Sequence, residues 1–458
     1  MHMNSKNFST LPLPHAMINN LNEIGYTEMT PIQAEALPFI LDGRDVIAQA
    51  KTGSGKTAAF GIGLLSKLDV KKFRVQALVL CPTRELADQV AKELRTLARF
   101  AHNIKILTLC GGAAFGPQLG SLRHGAHIIV GTPGRILKHL NKDTLSLENL
   151  ETLVLDEADR MLDMGFIEEI DKVLEYAPKE KQTLLFSATY TDEIIGISNK
   201  LQKDAVSVKT VSTEVANKIS ERFYEAQKGN KLETLIKIFS TYKPENVIVF
   251  TNTKLDAKEI AENLQKNKID ALAIHGDLEQ YERNDVLVQF ANKSCPVLVA
   301  TDVAARGLDI KELSMVVNYD IPHGAETYTH RIGRTGRAGQ EGIAITLYSE
   351  YEIQNALEYK NENRIFEESE SLKKENGFEM KPQFITLVIE GGKKDKVRAG
   401  DLLGALTGDA GLSGEEIGKI DIYEKQSYVA IKSKFIDQAH KKLQHGKIKG
   451  KKFSVWVL

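Results

Sequence analysis

Three cysteines in 458 residues are too few and too scattered to staple this chain. Cys81, Cys110 and Cys295 show neither zinc-ligand spacing nor a disulfide framework, so buried thiols beside strands are expected. No apolar run approaches the ~18 residues of a membrane span. The opening Met-His-Met-Asn-Ser-Lys-Asn-Phe has no apolar segment of a secretory leader. A cytoplasmic chain without a membrane partner is expected. The chain also lacks a strong charge of either sign, with a formal net of −1. That total hides an asymmetry. Residues 376–458 hold 15 Lys and Arg against 10 Asp and Glu, so the remainder is acidic. A basic tail on an acidic body points to a nucleic-acid contact in the tail.

What is present is ordinary in bulk: 42% hydrophobic and 26% charged residues, enough for several cores. The length suggests about three domains. Two short stretches are not ordinary. Val46-Ile47-Ala48 reads as a strand and runs into Ala50-Lys51-Thr52-Gly53-Ser54-Gly55-Lys56-Thr57. Glycines there let backbone N–H groups close around phosphate oxygens at the start of a helix. Lys56 can reach the β- and γ-phosphates, and the Thr57 hydroxyl can bind Mg²⁺. About a hundred residues on, Leu153-Val154-Leu155 stops at Asp156, Glu157 and Asp159. Acids at the carboxyl end of a buried parallel strand lie where open α/β sheets bind ligands. Asp156 suits the same Mg²⁺ through water. Glu157 suits the attacking water. Together the stretches specify binding and hydrolysis of a nucleoside triphosphate.

The first 350 residues carry one plan twice. Leu78–Thr83 resembles Ile248–Thr253, Cys110–Gly112 resembles His275–Asp277, Ile128–Thr132 resembles Leu298–Thr301, and Val154–Asp156 resembles Val317–Asp320. Four matches in register argue for a duplicated parallel α/β domain. Only the first copy keeps the phosphate loop. The second carries His330-Arg331-Ile332-Gly333-Arg334-Thr335-Gly336-Arg337. Three arginines are costly to confine in a closed core; a separate basic surface patch is one reading, and a place facing the triphosphate is the other. An arginine from outside the phosphate loop can stabilise phosphoryl transfer by ~10³–10⁵ in rate. Arg334 and Arg337 are therefore expected at a triphosphate held between the two copies.

Over roughly residues 8–350 these motifs resemble the DEAD-box RNA helicases of superfamily two. Gly25–Gln33 resembles the Q motif, with Phe8 where the family keeps an aromatic over adenine. Ala50–Thr57 is that family's phosphate loop. Pro82–Ala87, Gly111-Gly112, Thr132–Arg135, Asp156–Asp159, Ser187-Ala188-Thr189, Phe250–Asn252, Gln289-Phe290, Ala300–Asp309 and His330–Arg337 follow in family order. The resemblance implies two tandem RecA-like domains, 1–208 and 209–360, and an ATP-dependent RNA helicase that separates short duplexes locally. It implies ATP contacts from Phe8, Thr30, Gln33, Ala50–Thr57 and Asp309. It implies RNA-backbone contacts from Thr83, Arg84, Gly112, Thr132, Arg135, Thr251, Thr301 and Arg306. Asp159, Ser187, Thr189 and His330 are implied in coupling. Backbone contacts position RNA without reading sequence. An ATP-gated RNA clamp with little turnover is the alternative reading.

Residues 361–380, rich in Glu, Lys, Ser and Asn, read as a linker. Residues 381–458 follow a β-α-β-β-α-β order, which predicts an RRM-like domain. Ser427–Lys432 lacks the aromatic pattern that such sheets use to stack bases. RNA is therefore expected at the basic edges, Lys393, Lys394, Lys396 and Arg398, and Lys447, Lys449, Lys451 and Lys452. Gly400–Gly408, Ile417–Ile420 and Gly446–Lys451 resemble the tail of a bacterial subgroup of these helicases. That resemblance implies a large-subunit (23S) ribosomal RNA hairpin and pre-50S particles as partners, and a monomer.

Overall fold

The computed structural model describes residues 6–50, 53–210, 219–226, 230–305, 313–336, 341–409 and 411–458. Lys51, Thr52, Arg306, Asp309 and Arg337 lie outside the described residues. The chain divides into two compact units near residue 213.

The first unit is built on seven parallel strands: β1 (Val46–Gln49), β2 (Ala77–Leu80), β3 (Ile106–Leu109), β4 (Ile128–Gly131), β5 (Thr152–Asp156), β6 (Gln182–Ser187) and β7 (Val206–Lys209). Their order is β3-β4-β2-β5-β6-β1-β7. Helices cover both faces, so the inner strands bury both faces and read as unbroken apolar runs such as Ala77-Leu78-Val79-Leu80. Phe60, Val90 and Leu94 fill one core, and Ile136, Met161 and Val173 the other. Because every strand points the same way, every strand-to-helix loop emerges at one edge.

The second unit repeats that sheet. Its strands are β8 (Ile219–Glu225), β9 (Val247–Thr251), β10 (Ala271–Ile274), β11 (Val297–Thr301), β12 (Met315–Asn318), β13 (Gly342–Tyr348) and β14 (Arg364–Glu368). The order β10-β11-β9-β12-β13-β8-β14 matches the first sheet strand for strand. The four sequence correspondences fall on β2/β9, β3/β10, β4/β11 and β5/β12.

Within the segment read as a linker, β14 pairs with β8 as the edge of this sheet. Its charges are those of a managed edge strand: Arg364 meets Glu221 at 2.6 Å and Glu367 meets Arg222 at 2.8 Å. Leu372 and Met380 then join the second core. Composition alone misses this, because an edge strand buries only one narrow face.

The tail holds a four-stranded antiparallel sheet, β15 (Phe384–Ile389), β16 (Ile417–Ile422), β17 (Ser427–Lys432) and β18 (Val455–Val457), in the order β16-β17-β15-β18. Leu387, Ile389, Val429 and Ile431 face the helices Ala399–Gly404 and Ile436–His445. The opposite face is covered too. Val388 and Tyr428 pack with Val288 of the helix Gln280–Ala291. The Tyr428 hydroxyl donates to Asp285 Oδ1 at 3.0 Å. Thr386 Oγ1 accepts from Asn292 Nδ2 at 3.2 Å and lies 2.7 Å from Ser294 Oγ. The middle of the sheet face that an RRM offers to bases is thus packed on the second unit's α/β domain, while Trp456 of β18, paired with Val388 on that face, stays 37% exposed. Among the described residues, no helix is long and apolar enough to cross a membrane.

Candidate ATP and RNA sites

The sheet order divides the carboxyl edge of the first unit in two. β1, β5 and β6 carry the phosphate loop, the acids and Ser187-Ala188-Thr189. β2, β3 and β4 carry Thr83-Arg84, Gly111-Gly112 and Thr132–Arg135. One half suits a nucleotide and the other RNA.

On the nucleotide side, Ala50 N donates to Ser187 O at 3.0 Å, tying the loop to β6. Gly53 and Gly55 have φ of 83° and 94°, so the loop turns through left-handed backbone before the helix Lys56–Lys67. A Cβ on Gly55 would sit 2.5 Å from Gln33 Nε2. Gln33 is 1% exposed. Its Oε1 accepts from Thr30 N at 2.9 Å and its Nε2 donates to Gly55 O at 3.1 Å. One amide hydrogen and one lone pair remain for an adenine edge. Phe8 is 2% exposed and meets Tyr26 edge-on at 6.5 Å. Its ring is a wall of the core rather than an open stacking face. Tyr26, half-buried beside it, is an aromatic to which the sequence motifs assign no role.

The buried polar atoms here lack partners. Ser54 Oγ, Lys56 Nζ, Asp156 Oδ1 and Thr30 Oγ1 all lie out of solvent with no hydrogen bond. Such atoms cost about 1–3 kcal/mol each when unsatisfied, so their convergence fits a triphosphate and its Mg²⁺. Thr57 stands half-buried on the first turn of the helix. Burial pushes the Asp156 carboxyl up to about 7, against the pull of Lys56. Burial would raise Asp159 as well, but Lys56, the Ser187 hydroxyl and the Ala188 N–H hold it below its ordinary value. Asp159 Oδ2 accepts from Ala188 N at 2.9 Å and Thr189 N at 3.1 Å, which ties the acid motif to the Ser-Ala-Thr loop. Glu157 is 5% exposed and adopts φ 55°, ψ 54°, a left-handed conformation rare for a side-chain residue.

On the RNA side, Thr83 and Thr132 are the residues before two helices; the Thr83 hydroxyl accepts from Leu86 N at 3.3 Å. The Arg84 guanidinium lies against Gly111 and Gly112; a Cβ on Gly112 would strike it, whereas one on Gly111 would meet it at ordinary contact distance. Gly112 also has φ 76°. Arg135 donates to Gln118 Oε1 at 3.0 Å and Ala113 O at 2.8 Å, tying the loop after β4 to the segment after β3.

In the second unit, Thr301 is half-buried at the end of β11. Thr251 does not present its side chain: it is fully buried and its hydroxyl donates to Thr253 O at 3.1 Å. Arg331 is 1% exposed, although an arginine is costly to confine in a closed core. It chelates Asp302 with two bonds of 2.7 Å, donates to Asp320 O at 2.8 Å and Asn252 Oδ1 at 3.0 Å, and covers the Phe250 ring. His330 is half-buried on the same helix, Ala325–Ile332, and Arg334 is 7% exposed just past it.

The tail's eight basic candidates are all exposed. Lys449 Nζ donates to Lys396 O at 3.0 Å, which joins the two basic loops into one surface.

Comparison with known proteins agrees with this geometry. The DEAD/DEAH box helicase family matches residues 30–196, the helicase conserved C-terminal domain 230–339, and the DbpA RNA binding domain 386–457. The chain is 52% identical to "ATP-dependent RNA helicase DbpA" of Escherichia coli K12, over 98% of this chain and 99% of that protein. It is 48% identical to "DEAD-box ATP-dependent RNA helicase CshA" of Bacillus cereus, over 74% of this chain and 64% of that one. Saccharomyces cerevisiae Dbp5 bound to RNA and ADP BeF3 has a similar structure, with TM-score 0.72 and 30% identity, covering 80% of this chain and 97% of that one. With its phosphate loop, acid motif and the loops that carry Thr83, Gly112 and Thr132 on one sheet edge, the chain belongs to the DEAD-box ATP-dependent RNA helicases, among those that carry a DbpA RNA-binding domain.

Proposed function

We propose that this helicase acts on large-subunit (23S) ribosomal RNA during assembly of that subunit, recruited by a hairpin that its tail recognises. The observation that carries this reading is the pair of exposed basic tail loops, joined through Lys449 and Lys396, on a domain whose central sheet face is covered. With Val388 and Tyr428 packed away, these loops are the basic surface left to RNA. The name of the Escherichia coli relative and the tail family add support.

In the core, Lys56 would hold the β- and γ-phosphates and Gln33 the adenine. Thr57 and Asp156 would hold Mg²⁺, whose chemistry is to neutralise phosphate charge during transfer. Glu157 would accept the proton of the attacking water. Arg334 and Arg337 are proposed to support phosphoryl transfer. Thr83, Arg84, Gly112, Thr132 and Arg135 would grip RNA backbone, so the core is blind to sequence. The test is multiple-turnover phosphate release with RNA fragments carrying or lacking large-subunit hairpins. Equal stimulation by all of them would refute the substrate, and a single turnover followed by arrest would turn the reading into a clamp.

A further inference from the structure

Arg160 follows the acid motif directly and has no part in the mechanism above. It is 3% exposed, on the short helix Ala158–Asp163. Its Nη1 lies 3.0 Å from Oε2 of Glu157, with 4% and 7% of the two side chains open to solvent. Neither atom has a well-aligned hydrogen bond, so the contact is a charge pair in a dry place. The backbone of Arg160 is held by the same motif: its N–H reaches Asp159 Oδ1 and Glu157 O, each at 3.0 Å. Glu157 in turn stands on left-handed backbone, so its direction is set from both sides.

A counter-ion serving charge balance alone could pair with any of the three carboxylates. This one sits on a single oxygen of Glu157, while Asp159 is taken by the Ser-Ala-Thr loop and Asp156 lies near Lys56. We propose that Arg160 is the positioning residue for the catalytic base: it anchors Glu157 Oε2 so that Oε1 is the atom presented to water. In the step itself, the water oxygen bonds to the γ-phosphorus and its proton passes to Oε1. The bond from that phosphorus to the bridging oxygen breaks, and the electron pair leaves on ADP. Arg160 touches none of these atoms and acts only through Glu157. The inference rests on Glu157 being the base, and Glu157→Gln tests that separately.

The experiment is RNA-stimulated ATPase of the full chain with Arg160→Met and Arg160→Lys, alone and combined with Glu157→Gln. A loosened base should lower kcat about a hundredfold in Arg160→Met, with KM for ATP nearly unchanged. Arg160→Lys, which restores the charge, should recover much of that loss. In single turnovers, Arg160→Met should cost nothing further in the Glu157→Gln background, because the two residues act as a unit. Melting temperatures measured alongside separate folding from positioning. Three results would overturn the proposal: wild-type kcat in Arg160→Met, a full Arg160→Met effect persisting in the Glu157→Gln background, or a Lys variant that folds normally yet is as slow as the Met variant. Full turnover by Glu157→Gln alone would instead remove the base reading beneath it.

Discussion

Lys56 and Arg331 show how similar charges serve different ends. Lys56 Nζ is buried without a partner, and Arg331 is buried with every nitrogen engaged. Lys56→Ala should therefore abolish ATP turnover while leaving the first unit folded, since it removes the cation that the loop's last turn aims at the phosphates. Phosphate release and circular dichroism on one preparation check this. Arg331→Ala should destabilise the second unit by about 3–5 kcal/mol, because Asp302 is left partly buried and unpaired. Urea unfolding measures it, and a change below about 1 kcal/mol would deny Arg331 its structural role. Glu157→Gln should bind ATP and RNA and lose multiple-turnover hydrolysis, leaving only a slow residual rate readable in single turnovers, and loss of binding would make Glu157 structural. The phosphate loop and acids were legible because their spacing is dictated by phosphate geometry. Arg331 was not, because a buried arginine depends on Asn252, Asp302 and Asp320, which come from three separate loops.

Elements were legible where the chain repeats itself. The doubled strand order follows from apolar runs at matching offsets, and the tail's strands and helices fall where its alternating pattern places them. Contacts between elements were hidden. Nothing local in Thr386, Val388 or Tyr428 announces that their face meets the helix Gln280–Ala291. Burial raises the Asp285 carboxyl there, and the Tyr428 hydroxyl bond opposes the rise. Tyr428→Ala removes both that bond and the packing on Val288. We expect it to undock the tail without unfolding it, at a cost of about 2–4 kcal/mol to the joint. Nuclear magnetic resonance of the second unit would show the tail tumbling independently, whereas unchanged relaxation would mean that the contact contributes little.

At the scale of the whole molecule, the proposed function joins a sequence-blind ATPase core to a tail that chooses the RNA. Because the tail is packed on the second unit, deleting it would also bare Val288 and Asn292, so charge substitution is the cleaner probe. Lys393, Lys394, Lys449 and Lys451 changed to Glu should leave ATPase stimulation by generic RNA within about twofold. The same change should remove any preference for the cognate hairpin, since backbone and base contacts in those loops fail together. The most direct measurement is ATPase stimulation of the full chain by large-subunit RNA fragments against scrambled hairpins of equal length, at two salt concentrations. A base-reading tail predicts a preference that survives the higher salt even as overall affinity falls. Equal stimulation at both salts would show that the tail is only an electrostatic anchor and would contradict the substrate assignment.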